Sequence, residues 1–373
     1  LIYFDRFGDF KAHNDCTEGP SLPEPEFQPG QQIEDYIIGQ RLKRGGMGDL
    51  YLARDIVLKR KVIIKVLSLP FSQRQEYRNQ FLKEARIQAN LDNPHVVQVF
   101  RALVHKNFPC LVMQHVQGTD LEKIVKKAKS IREKREEKGA LSVERAVHIF
   151  LQVLEGIGFA HKYNIVHGDI KPSNILLDQQ GRVKIVDFGL SFVLASGKKV
   201  KGERLPGGTL QLMSPEQLLN EDVDLRSDIY SLGVTFFFML TGQWPTGERK
   251  RLTDLLEYHM EESLDDPERV MDGVGTIRPR IKAAVLKALD KDQARRHQSC
   301  LEFSLAIKED APHELYSELL RLSLLATKEI IPAERIYLDR IARLKGLQPR
   351  EAEALENRIR REMGLGKAPD RSL

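Results

Sequence analysis

Between Tyr36 and Val116 the chain reads as short apolar runs cut by glycine and charge. "YIIGQRL", "DLYLARD" and "KRKVIIKVL" follow one another, and "VVQVFRALVH" and "FPCLVMQHV" close the block. Runs of this length between turn residues predict antiparallel strands. Between the third and fourth runs, "QEYRNQFLKEARIQANL" sets its apolar residues at helix spacing, so the block is predicted to be sheet with one helix. From about Asp120 the period changes. "LSVERAVHIFLQVLEGIGFAHKY" opens on Ser142, with Glu144 two residues on, and "DLRSDIYSLGVTFFFMLTG" is strongly apolar and closes on Gly242 and Pro245. Both predict helices. Between them, "NILL" and "VKIVDFG" flank "DQQGR" and predict a small hairpin. A sheet-rich lobe followed by a helix-rich lobe is an α+β pattern.

The two ends differ from this middle. "EGPSLPEPEFQPGQQ" is rich in Pro, Gly and acid, which suits a linker or disordered arm over residues 1–32. From about Pro312, "LYSELLRLSLLATKEII", "PAERIYLDRIARLKG" and "PREAEALENRIRREMGLG" carry three helical stripes. The latter two start with Pro332 and Pro349 near N1, with Gly346 and Gly364 as C-caps. The expected organisation is an arm (1–32), a main domain (33–307, with lobes 33–116 and 117–307) and a small all-α module (312–373). That module is a candidate docking or regulatory surface. "EKIVKKAKSIREKREEKG" is expected to be a solvated helix with an exposed insertion, or else a docking face for an acidic partner.

Composition narrows the classes. At 373 residues, 41% hydrophobic and 30% charged, the chain has enough apolar material for a sizeable core. A formal net charge of +5 is too small on this length to argue for nucleic acid. Cys16, Cys110 and Cys300 are far apart, so neither a disulfide framework nor a zinc site is expected, and buried or idle thiols are. No apolar run reaches the roughly 18–20 residues of a membrane helix, and Leu1–Cys16 lacks the pattern of a signal peptide. A cytoplasmic location is the expectation.

The chemistry starts with phosphate. In "LKRGGMGDLY", Gly45, Gly46 and Gly48 lie between two strand-like runs, and glycines let backbone amides approach phosphate oxygens. A tight hairpin would use the same glycines. Lys65 in "VIIKVL" has apolar neighbours on both sides. An ammonium reaching from such a strand into a cleft needs anions, which a nucleotide's phosphates and the carboxylate of Glu84, on the following helix, would supply. In "VHGDIKPSNILL", Asp169 can accept a hydroxyl proton, Lys171 can neutralise a moving phosphoryl group, and Asn174 offers a neutral oxygen to Mg²⁺. Asp187 in "VKIVDFG" offers a second metal contact. Phosphoryl transfer needs metal, positive charge and alignment, and these residues supply that set.

Taken in order, these motifs resemble the eukaryotic-like (Hanks-type) Ser/Thr protein kinase family. "RGGMGDLYLARD" and "GTLQLMSPEQ" are similar to its bacterial branch. The resemblance covers roughly Ile33 to Ile307 and implies a bilobal fold with ATP and Mg²⁺ (or Mn²⁺) between the lobes and protein Ser/Thr hydroxyls as acceptors. It implies that Lys65 binds phosphate and pairs with Glu84, that Asp169 is the catalytic base, and that Asn174 and Asp187 are the metal ligands. Met113 falls at the gatekeeper, Gln114 to Val116 at the adenine hinge, and Asp120 near the ribose; Leu50 joins the nucleotide-binding positions. Asp228 matches the helix carboxylate that braces the catalytic loop, and Glu216 with Arg296 a structural ion pair. Lys171 together with Thr209 is the Ser/Thr pattern.

Two positions depart from the family. Lys43 stands where the first glycine of the loop would be, and Gly168 replaces the Arg before the catalytic Asp. In the family that Arg pairs with an activation-segment phosphate. Between Gly189 and Gly208 the hydroxyls are Ser191 and Ser196, both early, and Lys198, Lys199, Lys201 and Arg204 follow. The expectation is a kinase without a phosphorylation switch there. A pseudokinase or ATP-binding scaffold is the alternative. Small-molecule phosphotransferases, some of which share His-Gly-Asp, are third, because they lack the "DIKPSN", Asp-Phe-Gly and "SPE" segments present here.

Overall fold

The computed structural model describes residues 27–44, 48–67, 71–188, 192–193, 200–201, 210–247, 249, 251–260, 265–308, 312–344 and 347–366. Gly45, Gly46, Thr209, Cys16 and Gly346 lie outside the described residues, as do Ser191, Ser196, Lys198, Lys199 and Arg204. The chain divides into two compact units, with the boundary between Ser304 and Leu305.

The first unit begins with a six-stranded antiparallel sheet. Its strands are β1 (Gln32–Ile33), β2 (Tyr36–Arg44), β3 (Gly48–Asp55), β4 (Arg60–Leu67), β5 (Val99–His105) and β6 (Phe108–Gln114), in the order β1-β2-β3-β4-β6-β5. Alternation along β4 buries Val62, Ile64 and Val66 on one face, as a strand with one covered face requires. These residues join Ile38, Tyr51 and Cys110 in one core. Burial pushes the Cys110 thiol up to about 12, so it is an inert packing residue. The helix α1 (Gln75–Ala89) contributes Phe81 and Ala85 to a second cluster with Leu67, Leu111 and Met113.

Helices dominate after β7 (Gly118–Asp120). α2 (Leu121–Glu133) buries Leu121 and Val125 and exposes most of its charged face. In α3 (Val143–Lys162), Ser142 is the N-cap, accepting from the Arg145 N–H at 3.3 Å. Two-residue β8 (Ile165–Val166) leads into the loop that precedes the hairpin of β9 (Ile175–Asp178) and β10 (Val183–Ile185). Phe192–Val193 (β11) pairs with β8, and Val200–Lys201 (β12) pairs with Asp222–Val223 (β13). Pro215–Leu219 forms the short α4.

The centre of the helical lobe is α5 (Leu225–Thr241), buried continuously from Ser227 to Thr241. Its run from Ile229 to Leu240 is mostly apolar on every face, which suits a helix buried on all sides. Phe236 of α5 stacks on Phe150 of α3 at 4.2 Å between centroids, worth about 1 kcal/mol beyond area burial. α6 (Leu252–Met260), α7 (Asp265–Val274), α8 (Pro279–Ala288) and α9 (Cys300–Ile307) complete the set up to the unit boundary, which falls inside α9. No helix among the described residues is long and apolar enough to cross a membrane.

The second unit holds α10 (Pro312–Thr327), α11 (Pro332–Leu344) and α12 (Pro349–Glu362). Tyr316, Leu320, Leu324, Leu338, Ala342, Leu355 and Ile359 form its own core. Pro332 and Pro349 open their helices, and Gly364, at φ +70°, follows the last turn of α12. Glu356 is fully buried there and is satisfied by two bonds from Arg335 (2.6 and 2.9 Å) and one from Arg360 at 3.2 Å. Buried charge of this kind persists only when paired.

Candidate active site

The sheet presents Lys65 through strand alternation. Ile64 and Val66 point into the core, and Lys65 points to the other face, paired across the ladders with Leu50 and Leu111. Its Nζ lies 2.7 Å from Asp187 Oδ1 and 5.9 Å from the Phe81 ring centroid. Glu84 sits on α1, but its side chain lies outside the described residues. Leu50 is thus beside Lys65 on the sheet. Gly48 begins β3 where a Cβ would come within 2.3 Å of the Val66 carbonyl oxygen, so any side chain there would push the two strands apart.

Three backbone bonds fix the residues leading into Asp187. The Val97 N–H donates to Ile185 O at 2.9 Å and the Ile185 N–H to His95 O at 2.7 Å, which fixes β10 against the segment after α1. The Val186 N–H donates to Asn174 O at 2.9 Å, which ties Asp187 to the His167–Asn174 loop. Asp187 itself takes φ +68°, a left-handed conformation that Asp tolerates better than most residues. The Lys65 charge holds its carboxyl down, to about 2, against partial desolvation of a side chain that stays half-exposed, and Lys171 and His167 add to it. The carboxylate is therefore ionised at any working pH. Phe188, next in line, is buried with its ring 4.4 Å from the His167 ring.

The loop from His167 to Asn174 carries the remaining groups. Lys171 Nζ lies 2.6 Å from Asp169 Oδ2. Asn174 Nδ2 donates to the Asp169 carbonyl at 3.0 Å and to its Oδ2 at 3.2 Å. The amide nitrogen being spent on Asp169, its oxygen is the end of Asn174 left for a cation. Among the described residues no cluster of three His, Cys, Asp or Glu side chains is placed to hold a metal. An amide oxygen and a carboxylate fit instead the habit of Mg²⁺, which takes few protein oxygens and completes its shell with water and phosphate.

Asp228 braces this loop from beneath. It is 1% exposed, and its carboxylate accepts from the His167 N–H (2.8 Å), the Gly168 N–H (2.9 Å) and His161 Nε2 (2.8 Å). Burial on its own would raise the carboxyl; the bond from His161 and its charge lower it. On the far side of the imidazole, Cys300 Sγ lies 3.7 Å from Nδ1. Burial works against a charge on His161, but Cys300 and Asp228 outweigh it and raise the imidazole to about 10. Neither His161 nor Cys300 stood out in the sequence. Cys300 is buried, and its Sγ meets the His161 ring as well as apolar packing.

Gly168 has φ +77°. Most L-residues there would adopt the left-handed region at a cost of about 1 kcal/mol. Gly168→Ala is accordingly expected to lower stability by about 1 kcal/mol in urea unfolding, with unchanged m. An unchanged midpoint would show that the loop relaxes out of this conformation.

The positions expected at the adenine and ribose side also have defined surroundings. Met113, on β6, is buried with Phe81 and Leu111, and Val116 packs against the same cluster. Gln114 closes β6, its N–H donating to Gln98 O at 2.9 Å. Asp120 caps α2, accepting from the Lys123 N–H at 2.9 Å, and its other oxygen is 2.9 Å from Lys123 Nζ. In the helical lobe, Glu216 and Arg296 meet in a buried bidentate pair at 2.7 and 2.8 Å.

Sequence comparison agrees with this arrangement. The family described as Protein kinase domain matches residues 36–303. The chain belongs to the protein kinase family. Among curated relatives of this kinase chain, the serine/threonine-protein kinase PknB of Mycolicibacterium smegmatis is 32% identical over 318 residues, covering 82% of this chain and 48% of the relative. PknB of Mycobacterium tuberculosis is 32% identical over 280 residues (74% of this chain, 42% of the relative). A probable serine/threonine-protein kinase of Clostridium perfringens, CPE1738, is 33% identical over 267 residues (72% and 37%). The kinase chain spans less than half the length of these relatives.

Proposed function

We propose that the chain is an ATP- and Mg²⁺-dependent serine/threonine protein kinase that works without an activation-segment phosphate. The observation that carries this reading is the convergence of Lys65, Asp187, Asp169, Lys171 and Asn174 in one bonded set. The bacterial relatives are named serine/threonine-protein kinases, which supports the same acceptor class here.

Each residue has one task. Asp169 orients the acceptor hydroxyl and takes its proton as the oxygen attacks the γ-phosphorus. Lys171, bonded to Asp169, offsets charge on the transferred group. Lys65 binds nucleotide phosphate, with Glu84 as its further partner. Asn174 and Asp187 would hold Mg²⁺, which supplies charge neutralisation between the phosphates when bound. Leu50, Gly45, Gly46 and Gly48 cover the nucleotide, and Met113, Gln114, Val116 and Asp120 define the adenine and ribose side. Thr209 and the segment anchored by Glu216 form the peptide platform.

Freedom from a phosphate switch follows from Gly168, which has no side chain to receive one. The pairing of β12 with β13 supports a segment held by backbone bonds in place of a phosphate clamp. Acceptor class is tested by incubating the chain with ATP, Mg²⁺ and either a generic basic protein or a panel of small alcohols. The expected product is phosphoserine or phosphothreonine in protein. Turnover of a small alcohol without protein labelling would assign the chain to a different phosphotransferase class.

A further inference from the structure

We propose that Gln217 is a positioning residue that clamps the catalytic loop to the peptide platform, doing with a neutral amide what Gly168 cannot do with charge. The proposal rests on the reading of this chain as a protein kinase without an activation-segment switch.

The amide of Gln217 has a fixed orientation. Its Oε1 accepts from the Ser214 N–H at 3.0 Å and from Ser214 Oγ at 3.1 Å. A backbone N–H can meet only the oxygen end of a carboxamide, so Nε2 is turned the other way. There it donates to the Gly168 carbonyl at 3.2 Å. The Gly168 N–H is meanwhile held by Asp228 at 2.9 Å. The two peptide units around Gly168 are therefore each gripped by a different element: the unit before it by α5, and the unit that leads into Asp169 by α4.

The α4 end of this clamp is itself rigid. Ser214 is fully buried, and Glu216, between Ser214 and Gln217, is locked to Arg296 and Ser227. A shift of the platform is transmitted through one side chain to the peptide bond adjoining Asp169. Misplacement of a catalytic group by about 1 Å can lower a rate on the order of a hundredfold, so a contact at this point bears directly on turnover. The same residue also closes a capping box on α4, and capping alone is the competing explanation.

Gln217→Glu separates the two roles. A glutamate at this position of a capping box still accepts from the Ser214 N–H, but at neutral pH it has no hydrogen to give the Gly168 carbonyl. The expected result is a fall of about tenfold in kcat for protein phosphorylation, with KM for ATP within about twofold. The melting temperature stays within about 2 °C of the parent. Gln217→Met, of similar length and without polar atoms, loses both roles and shows the same kcat loss with a lower melting temperature. Full kcat in Gln217→Glu would overturn the clamp and leave only the cap. Hydrogen exchange provides a readout independent of turnover. Amides of residues 166–174 exchange faster in both variants if the clamp exists, and unchanged exchange there overturns it. If the parent chain phosphorylates no protein, the kinase reading fails by itself, and the exchange comparison still decides the clamp.

Discussion

Asp169→Asn lowers phosphoryl transfer to protein by about a thousandfold, within the range lost with a general base. The substitution keeps the size of the side chain and an oxygen that can accept from Asn174 Nδ2, now 3.2 Å from Asp169 Oδ2. It removes the negative charge that meets Lys171 at 2.6 Å and the site that would take the hydroxyl proton. Nucleotide contacts are assigned elsewhere, to Lys65, Leu50 and the hinge, so the dissociation constant for ATP is expected to stay within about twofold. Single-turnover kinetics and a nucleotide titration check the two halves separately. A variant that keeps a tenth of the parent rate would remove Asp169 from the role of base.

Glu216→Ala destabilises the kinase unit by about 4 kcal/mol, the typical loss when one partner of a buried ion pair is removed. All five N–H groups of Arg296 are engaged: with both oxygens of Glu216 and with the carbonyls of Asp290, Arg226 and Lys291. The guanidinium is held in place by those carbonyls, so it cannot leave when Glu216 is lost, and its charge stays buried without a counter-ion. At roughly 2 °C per kcal/mol for a domain of this size, the melting temperature falls by about 8 °C. Glu216→Leu combined with Arg296→Met should recover much of the loss, because no charge is then stranded.

The same pair gives stability a pH dependence. Burial opposes the Glu216 charge, but the bonds and charge of Arg296, with Ser227, hold its carboxyl down to about 2. A depressed carboxyl contributes fully above its unfolded value of about 4.5 and loses that contribution as pH falls toward 2. The parent should therefore lose stability more steeply than Glu216→Ala between about pH 4.5 and 2.

Much of this was legible in the chain because local patterns carried it. The strand alternation around Lys65, the long apolar run in α5 and the loop "HGDIKPSN" each state their structure within a few residues. The proline starts of α11 and α12 are equally local. What could not be read was contact between distant residues. Nothing in the spacing links His161 to Asp228, 67 residues on, or to Cys300. The tie from Gln217 to Gly168 spans 49 residues and depends on how α4 is anchored. Gly168 illustrates both sides. Its lack of a receptor side chain was evident from one letter, whereas its positive φ and its two-sided grip appear only in the fold.

Activity without a phosphate switch is read from the initial rate of a chain stripped of all phosphate. The protein is prepared with a phosphatase, freed of it, and given ATP, Mg²⁺ and a basic protein, with phosphosites read by mass spectrometry. Ser/Thr phosphorylation of the substrate is expected to be linear from the first time point and independent of any phosphate in residues 189–208. No transfer, or a lag that ends only when that segment becomes phosphorylated, would contradict it.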